Sequence, residues 1–462
     1  MNTKFVFKII ALMVLVFTAA VLGYFFGFNP SQITAICTFT ASILGTLLFW
    51  NFRLSFAFLG CSILLFTKII TIEEFIMYSS LEVIFFLIGM MILAGFLKEV
   101  GFFAWILSRT IILKKLNAKK FIIMLTFTSA LLACLIDEVS SIVFMIMLIF
   151  ELCDYYEVNP VPFIISSVFA TNIGSAGTVI GNPIGILIAT KASLTFEDFI
   201  INAFPLMLLN LLVLIGILLF VFKKPLKELD EKMKLFGANE YLVTLLRIPP
   251  EKKVKIGLVF FSVTIMLIAM HHRIELLFGL KTGTMLIIAP LLVSSIVMIW
   301  RRDRARYYVE HEVEWWTILF FIFLFAQAGA IMHLGVADKM AKEIITIFSN
   351  NFASILSSIL IGSAVISSML DNVVVVTAFI PIIKSINIMI SADGALWWAL
   401  LFGACFGGNI TIIGSTANII AIGKLEKERA ESISFLSWFK VGALVGAVTL
   451  ILALVVLLKF AP

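Results

Sequence analysis

The sequence predicts an all-α polytopic membrane protein with an inverted-topology repeat, about eleven transmembrane helices, two re-entrant hairpins and two broken helices. Three observations support this prediction: the composition, a series of apolar segments of spanning length, and a polar motif that occurs once in each half. Of 462 residues, 62% are apolar and 13% are charged. A soluble domain has roughly 25% charged residues, so we expect most of this chain to face lipid.

The composition also argues against several kinds of site. The net charge of +6 does not indicate a nucleic-acid partner, because basic residues in polytopic proteins usually determine orientation. The five cysteines lie in apolar stretches without CxxC spacing, which argues against disulfides and zinc sites. The chain lacks the GxxxxGK[ST] motif of nucleotide hydrolysis. We therefore expect no cofactor and no resident metal.

Eleven segments have the length of about 20 apolar residues that a membrane-spanning helix needs. With a cytoplasmic N-terminus, only eight of the 34 Lys and Arg residues lie outside, as the positive-inside rule requires. We therefore expect a protein of the cell membrane with an external C-terminus, and we interpret residues 4–27 as a retained first helix. The predicted spans are 5–27, 32–50, 54–71, 82–98, 162–190, 199–222, 255–271, 282–300, 314–333, 395–423 and 435–458.

Two further apolar stretches, 119–153 and 352–390, are interrupted in the middle by polar residues. The interruptions are Asp137-Glu138 in the first stretch and Asp371-Asn372 in the second. The arms before these breaks would be about 24 and 27 Å long at 1.5 Å per residue, which is short of a roughly 30 Å membrane core. Each stretch is therefore predicted to be a re-entrant hairpin with its tip inside the membrane.

The two hairpins share a sequence motif. Ser129 precedes Asp137 by eight residues, and Ser363 precedes Asp371 by the same distance. Five predicted crossings separate the hairpins, and this odd number makes them enter from opposite faces. Inverted repeats of this kind are typical of secondary transporters, whose binding site lies near the membrane midplane.

The span after each hairpin contains glycine and polar residues at its centre. In the first half these are Asn172–Thr178 followed by Gly181-Asn182, and in the second half Gly407–Thr411 followed by Gly414-Ser415. Gly-rich patterns often indicate close helix packing, but their occurrence at matching positions favours broken helices. Broken helices expose carbonyl groups and helix ends that can bind an ion or a polar solute.

Asp137, Glu138 and Asp371 are the acidic residues predicted to lie deep in the membrane, where an ionised group is costly without a partner or a water-filled cavity. They are therefore functional candidates, with helix capping as the alternative role. No Lys or Arg is predicted near the hairpin tips. This favours a cation, a proton or a neutral solute over a dicarboxylate, although helix N-termini can also bind anions.

The chain is expected to comprise four parts and one central site. The parts are scaffold helices 1–81, a first repeat 82–222 with hairpin 119–153, a cytoplasmic linker 223–254, and a second repeat 255–462 with hairpin 352–390. The candidate ion- or substrate-binding residues are Asp137, Glu138, Ser140, Asn172, Thr178, Gly181, Asn182, Asp371, Asn372, Asn409, Thr411, Gly414, Ser415 and Asn418.

These motifs, above all the segment Phe402–Asn418, resemble the ion transporter superfamily. That superfamily contains the melanosomal P protein, arsenite efflux permeases, sodium/proton antiporters and citrate or dicarboxylate carriers, and the resemblance is closest to the P protein branch. It implies two hairpins, two broken helices and a transport domain that moves against a scaffold able to form a homodimer. The chain departs from the family pattern at Glu138, where Asn is usual, and at Asn182, where Asp is common.

We therefore expect a secondary active transporter of alternating-access elevator type, whose partners are the bilayer and a transported ion or small solute. Cation/proton exchange with sodium as the transported metal is the first hypothesis. Transport of an anion such as citrate or dicarboxylate, or of arsenite, is the alternative. A remote alternative is an intramembrane aspartyl enzyme, which would require Asp137 and Asp371 to share a proton.

Overall fold

The computed structural model describes residues 3–103, 105, 117–235, 252–390, 394–429 and 432–460. Within these ranges every regular element is a helix, which confirms the all-α class. Nine of the described helices are long and apolar enough to cross a membrane, or ten spans if one bent pair is counted as a single crossing. Residues 236–251 of the expected linker, and the last two residues of the chain, lie outside the described residues.

The helices are numbered α1 to α21 in chain order. The first half comprises α1 Thr3–Phe25, α2 Pro30–Leu48, α3 Arg53–Phe66, α4 Ile72–Tyr78, α5 Leu81–Glu99, α6 Ala118–Leu135, α7 Glu138–Tyr156, α8 Val161–Ser175, α9 Pro183–Ala192, α10 Phe196–Val221 and α11 Lys223–Leu235. The second half comprises α12 Lys252–Ala269, α13 His271–Phe278, α14 Thr284–Trp300, α15 Trp315–His333, α16 Val336–Ile347, α17 Phe352–Ser367, α18 Asn372–Ile390, α19 Ala395–Gly407, α20 Thr416–Arg429 and α21 Phe435–Phe460.

The order of helices in the first half recurs in the second. Helices α5 and α15 both contain 19 residues and start 234 positions apart, as do α7 and α18. Near the end of α5, Gly95 lies against Glu312, just before α15 begins; near the end of α15, Gly329 lies against Tyr78, just before α5 begins. The equivalent helices α5 and α15 are therefore antiparallel, as an inverted repeat requires.

Both predicted hairpins are present, with α6 and α7 forming the first and α17 and α18 the second. Both predicted broken helices are also present, as α8 with α9 and α19 with α20. One single-span prediction was too simple, because the segment 54–71 is helical only to Phe66 and is followed by the separate helix α4. The predicted span 255–271 is matched by α12, which bends by 65° into α13 beyond its end.

Two glycines bring each hairpin close to the broken helix of its own half. A Cβ atom at Gly174 in α8 would overlap the backbone of Ala130 in α6, and one at Gly407 in α19 would overlap the backbone of Ala364 in α17. The absence of a side chain therefore permits backbone contact at both places. This contact aligns each hairpin tip with the break in the neighbouring helix.

The described helices pack as two bundles. Helices α6 to α10 pack with α17 to α21, and we call this set the hairpin bundle. Helices α1 to α5 pack with α12, α14 and α15, and we call this set the frame bundle. The bundles meet where α5 contacts α9 and where α15 contacts α18, so residues of the frame lie beside both hairpins.

Candidate functional site

Each hairpin tip is hydrogen-bonded to the break in the broken helix of its own half. The hydroxyl of Thr178 donates to the carbonyl of Cys134 at 2.5 Å, and the hydroxyl of Thr411 donates to the carbonyl of Ser368. Thr178 and Thr411 occupy equivalent positions in the two repeats. Their oxygens thus hold the tips in place in this conformation.

The aspartates at the tips cap the second arm of each hairpin, which was the alternative role. Oδ1 of Asp137 accepts a hydrogen bond from the backbone N–H of Ser140 at 2.8 Å. Oδ1 of Asp371 accepts one from Val373 at 3.0 Å, and its Oδ2 accepts a hydrogen bond from the hydroxyl of Thr416. Asp371 therefore also connects the second hairpin to α20.

Glu138, at the first hairpin tip, lies close to the second hairpin tip. Its side chain is only 2% exposed, and it interacts electrostatically with Asp371 and Asp137. It lies close to the Asn372 amide and the Ser175 hydroxyl. Among the described residues, Oε2 of Glu138 and Oδ1 of Asn372 have no hydrogen-bond partner. Because buried polar atoms are nearly always satisfied, the Glu138 oxygen is suited to bind a proton or a cation, and the Asn372 amide oxygen is suited to bind a cation.

The predicted asparagine ligands form a separate buried cluster. The Asn172 amide donates to Oδ1 of Asn409 at 2.8 Å and to Oδ1 of Asn418 at 2.9 Å. Its own oxygen accepts from the hydroxyl of Ser415 at 2.9 Å. The amide of Asn418 donates to the carbonyl of Thr411 at 2.8 Å. The side-chain oxygens of all three asparagines are therefore occupied by the protein itself in this conformation.

Asn182 in the first repeat occupies the position equivalent to Ser415 and makes an equivalent contact with the other repeat. Its amide donates to the sulfur of Cys405 at 3.2 Å, and Cys405 stands at the position equivalent to Asn172. Its Oδ1 caps α9 by accepting from the backbone of Gly185 at 2.7 Å. A Cβ atom at Gly181 would overlap the Ser175 carbonyl oxygen, and one at Gly414 would lie 2.6 Å from the Gly408 carbonyl oxygen. These glycines allow the chain to fold back at each break.

A cavity of about 270 Å³ reaches the first hairpin tip. Asp137, Glu138, Ser140 and Asn182 line one side, and Glu312, Glu314 and Lys98 lie on the frame side. We call this the acidic cavity. The lining of this cavity does not include the other predicted site residues: Asn172, Thr178, Gly181, Asp371, Asn372, Asn409, Thr411, Gly414, Ser415 and Asn418.

The structure corrects one expectation about charge. A basic residue does lie near a hairpin tip, because Arg53 at the start of α3 interacts electrostatically with Asp371 and Glu314. Its side chain is 6% exposed, and the guanidinium lies over the rings of Trp50, at 3.9 Å, and Phe320, at 5.0 Å. An arginine at the start of an apolar helix was visible in the sequence. Its carboxylate partners are far away in the chain, so the sequence did not indicate that it lies near a hairpin tip.

Comparison with known proteins identifies the family. The CitMHS family, described as citrate transporter, matches residues 46–403. The chain belongs to the CitMHS family. Two Mycobacterium tuberculosis proteins described as uncharacterized transporters are each 31% identical to this chain over 81% of its length and 85% of theirs. The human P protein is 26% identical over 80% of this chain and 52% of its own length, so the chain spans about half of that protein.

The expected superfamily resemblance is confirmed, and this CitMHS member is a multi-pass membrane transporter rather than an enzyme. Among solved structures, the YdaH transporter of Alcanivorax borkumensis has a similar fold, with a TM-score of 0.56 at 13% identity. The match covers 86% of this chain and 88% of the YdaH chain. At this identity the likeness concerns the fold alone.

The CitMHS chain has a second cavity, of about 330 Å³, at the opposite end of α5 and α15. Tyr78 and Ser80 line this cavity, whereas Glu312 and Glu314 line the acidic cavity. The two pairs are 234 positions apart and therefore occupy equivalent positions in the two repeats. It also contains Lys191 and Lys384, of which Lys191 is paired with Glu82 at 2.8 Å. We call this the lysine cavity. The two related cavities therefore carry opposite charge.

Proposed function

We propose that this transporter exchanges a cation, with sodium as the first candidate, for protons. The observation that carries the proposal is the buried Glu138 carboxylate, which has an unpartnered oxygen and lies beside Asp371 at the end of a cavity. A deprotonated cluster of these carboxylates would attract a cation. Protonation would remove its charge and favour release, so that only one of the two species binds at a time.

The charges around the cavity favour a cation over an anion. Asp137, Glu138, Glu312 and Glu314 line it together with one lysine, Lys98, which is paired with Glu312 at 3.5 Å. A multivalent anion such as citrate would be repelled by the remaining carboxylates, and this repulsion is strong where water is scarce. A small cation is attracted by the same arrangement.

We propose alternating access of elevator type, in which the hairpin bundle moves against the frame bundle. Supporting this, the equivalent helices of the two repeats are antiparallel and each end of the α5–α15 pair has a cavity. We also propose the division into four parts given above. The protein would lie in the cell membrane with a cytoplasmic N-terminus and an external C-terminus, and it would form a homodimer. Within the candidate site, Asp137, Glu138, Asp371 and Asn372 would contact the ion, whereas the remaining predicted residues would shape its surroundings.

The test is sodium-22 uptake into proteoliposomes under an imposed pH gradient. The native chain should take up sodium in a gradient-dependent manner, and Glu138→Gln and Asp371→Asn should abolish this uptake. Glu151→Gln is the matched control, because Glu151 lies on the same helix as Glu138 but is exposed. Uptake that persists in both site variants, or is absent from the native chain, would contradict the proposal.

Citrate transport is the second candidate, because the family is described as citrate transporter. The buried guanidinium of Arg53 near Asp371 offers one positive charge that could face a carboxylate anion. Labelled citrate uptake in the same vesicles tests this candidate. Citrate uptake that is lost in Arg53→Gln, without proton-driven sodium flux, would favour the second candidate over the first.

A further inference from the structure

Glu314 is a carboxylate of the frame bundle that faces the first hairpin tip across the acidic cavity. It immediately precedes α15 and lines the cavity together with Asp137 and Glu138. The residue is exposed and interacts electrostatically with Asp137. Two carboxylates on separate bundles thus face the same space, where their mutual repulsion is relieved either by protonation of one of them or by a bound cation.

A chain of hydrogen bonds fixes the position of Glu314. The hydroxyl of Thr317 donates to Oε2 of Glu314 at 3.3 Å. The same hydroxyl oxygen accepts a hydrogen bond from Nη2 of Arg53 at 3.3 Å. Since a hydroxyl can donate one bond while accepting another, both contacts are compatible. Arg53 is itself held between two aromatic rings, so the chain ends on a rigid group.

The carboxylates that line the acidic cavity outnumber the basic residues that interact with them. Lys98 is paired with Glu312, and the positive charge of Arg53 offsets part of the negative charge of Glu314. Asp137 and Glu138 remain, and in the described part of the chain Oε2 of Glu138 has no hydrogen-bond partner although it is buried. Glu138 is one of the residues that line the same cavity, and its unsatisfied oxygen indicates a place for a ligand.

We propose that Glu314 and Asp137 form a capture site, where the transported cation binds before it reaches Glu138. Arg53 and Thr317 are positioning residues that hold the Glu314 carboxylate toward the cavity. The ligand is a small monovalent cation that prefers oxygen atoms, with sodium as the probe. This inference rests on the proposed cation transport and adds a carboxylate of the frame bundle, Glu314, to the one at the first hairpin tip.

The site predicts a change in affinity on one membrane face only. Sodium KM is measured with inside-out and right-side-out vesicles that contain the intact transporter. Glu314→Gln should raise the KM about tenfold on the face that opens to the acidic cavity, the scale of losing one charge interaction. The KM on the other face should remain close to that of the native chain, because Glu138 and Asp371 are unchanged. The maximal rate from the affected face should rise with its KM, because a substitution cannot change the equilibrium between the two compartments.

The positioning role of Thr317 is tested in the same vesicles. Thr317→Val should raise the KM on the same face, and Thr317→Ser should restore it because the hydroxyl is retained. The controls are Glu310→Gln, since Glu310 pairs with Arg306 and is not part of the cavity lining, and Thr346→Val on the exposed face of α16.

The outcomes separate the inference from the proposed function. If the native chain shows no proton-driven sodium flux, both fail. If the native chain transports sodium but Glu314→Gln leaves the KM unchanged, or changes it equally on both faces, the capture site is wrong and the transport proposal stands. A purely structural role of Thr317 would lower the maximal rate or the amount of folded protein without a one-sided change in KM.

Discussion

Asn172 and Asn409 are 237 positions apart in the chain, yet the amide of Asn172 donates a hydrogen bond to Oδ1 of Asn409 at 2.8 Å. Asn172 lies in the first broken helix and Asn409 in the break of the second. A buried amide pair of this kind connects the two repeats at the centre of the hairpin bundle. The bond therefore stabilises the arrangement in which both hairpin tips meet.

Replacement of Asn172 by leucine is expected to destabilise the transporter. The change would leave Oδ1 of Asn409, Oδ1 of Asn418 and the Ser415 hydroxyl without their partner. Each unsatisfied buried group costs about 1–3 kcal/mol, so Asn172→Leu should lower the melting temperature in detergent substantially. The control is Asn202→Leu, because Asn202 is exposed and bonds only its own helix. Equal melting temperatures for both variants would contradict this prediction.

Alanine at either of two glycines should separate a hairpin from its broken helix. Gly174→Ala and Gly407→Ala each place a methyl group where the backbone of the neighbouring hairpin arm lies. Overpacking of this kind typically costs about 1–3 kcal/mol, and we expect similar losses in the two halves. Gly216→Ala is the matched control, because a Cβ there meets nothing within 4 Å and alanine favours a helix by about 0.5–1 kcal/mol. Thermal unfolding of the three variants measures the difference.

Valine at Thr178 or Thr411 should loosen a hairpin tip without changing the charge of the site. Each substitution removes the hydroxyl that bonds the carbonyl of Cys134 or Ser368. A loosened tip would let protons pass without sodium, so the proton leak of vesicles under a pH gradient should rise. Thr178→Ser and Thr411→Ser should restore tight exchange. A leak that is unchanged in both valine variants would mean that the tips are held by other contacts.

Neutralisation of Lys384 should raise the affinity for sodium on the face with the lysine cavity. Lys384 lines this cavity with Lys191, and their positive charge should repel a cation there. Lys384→Gln should therefore lower the sodium KM and, in proportion, the maximal rate from this face, and leave the KM of the opposite face unchanged. Lys281→Gln serves as the control, because Lys281 is exposed and is not part of the cavity lining. Identical KM values for the native chain and Lys384→Gln would argue against electrostatic repulsion there.

The parts of the fold that local sequence determines were predictable. The pattern around Asp137 and Asp371 predicted two hairpins, and the Gly-rich segments predicted two helix breaks, because each feature is encoded within a few tens of residues. The contact between Arg53 and Thr317 joins positions 264 apart, so one sequence alone did not reveal it. The same limit explains the asparagines, which were predicted as ion ligands, because the hydrogen bonds from Asn172 to the side-chain oxygens of Asn409 and Asn418 cross the repeat interface.

The opposite charges of the two cavities have a kinetic consequence. Charges on either side alter the concentration at which each face saturates, but they cannot change the direction of net flux, which the ion gradients alone determine. The face with Glu314 should therefore saturate at low sodium concentration, whereas the face with Lys384 should respond in proportion to sodium over a wider range. The transport rate would then depend little on the sodium concentration in one compartment and strongly on the sodium concentration in the other.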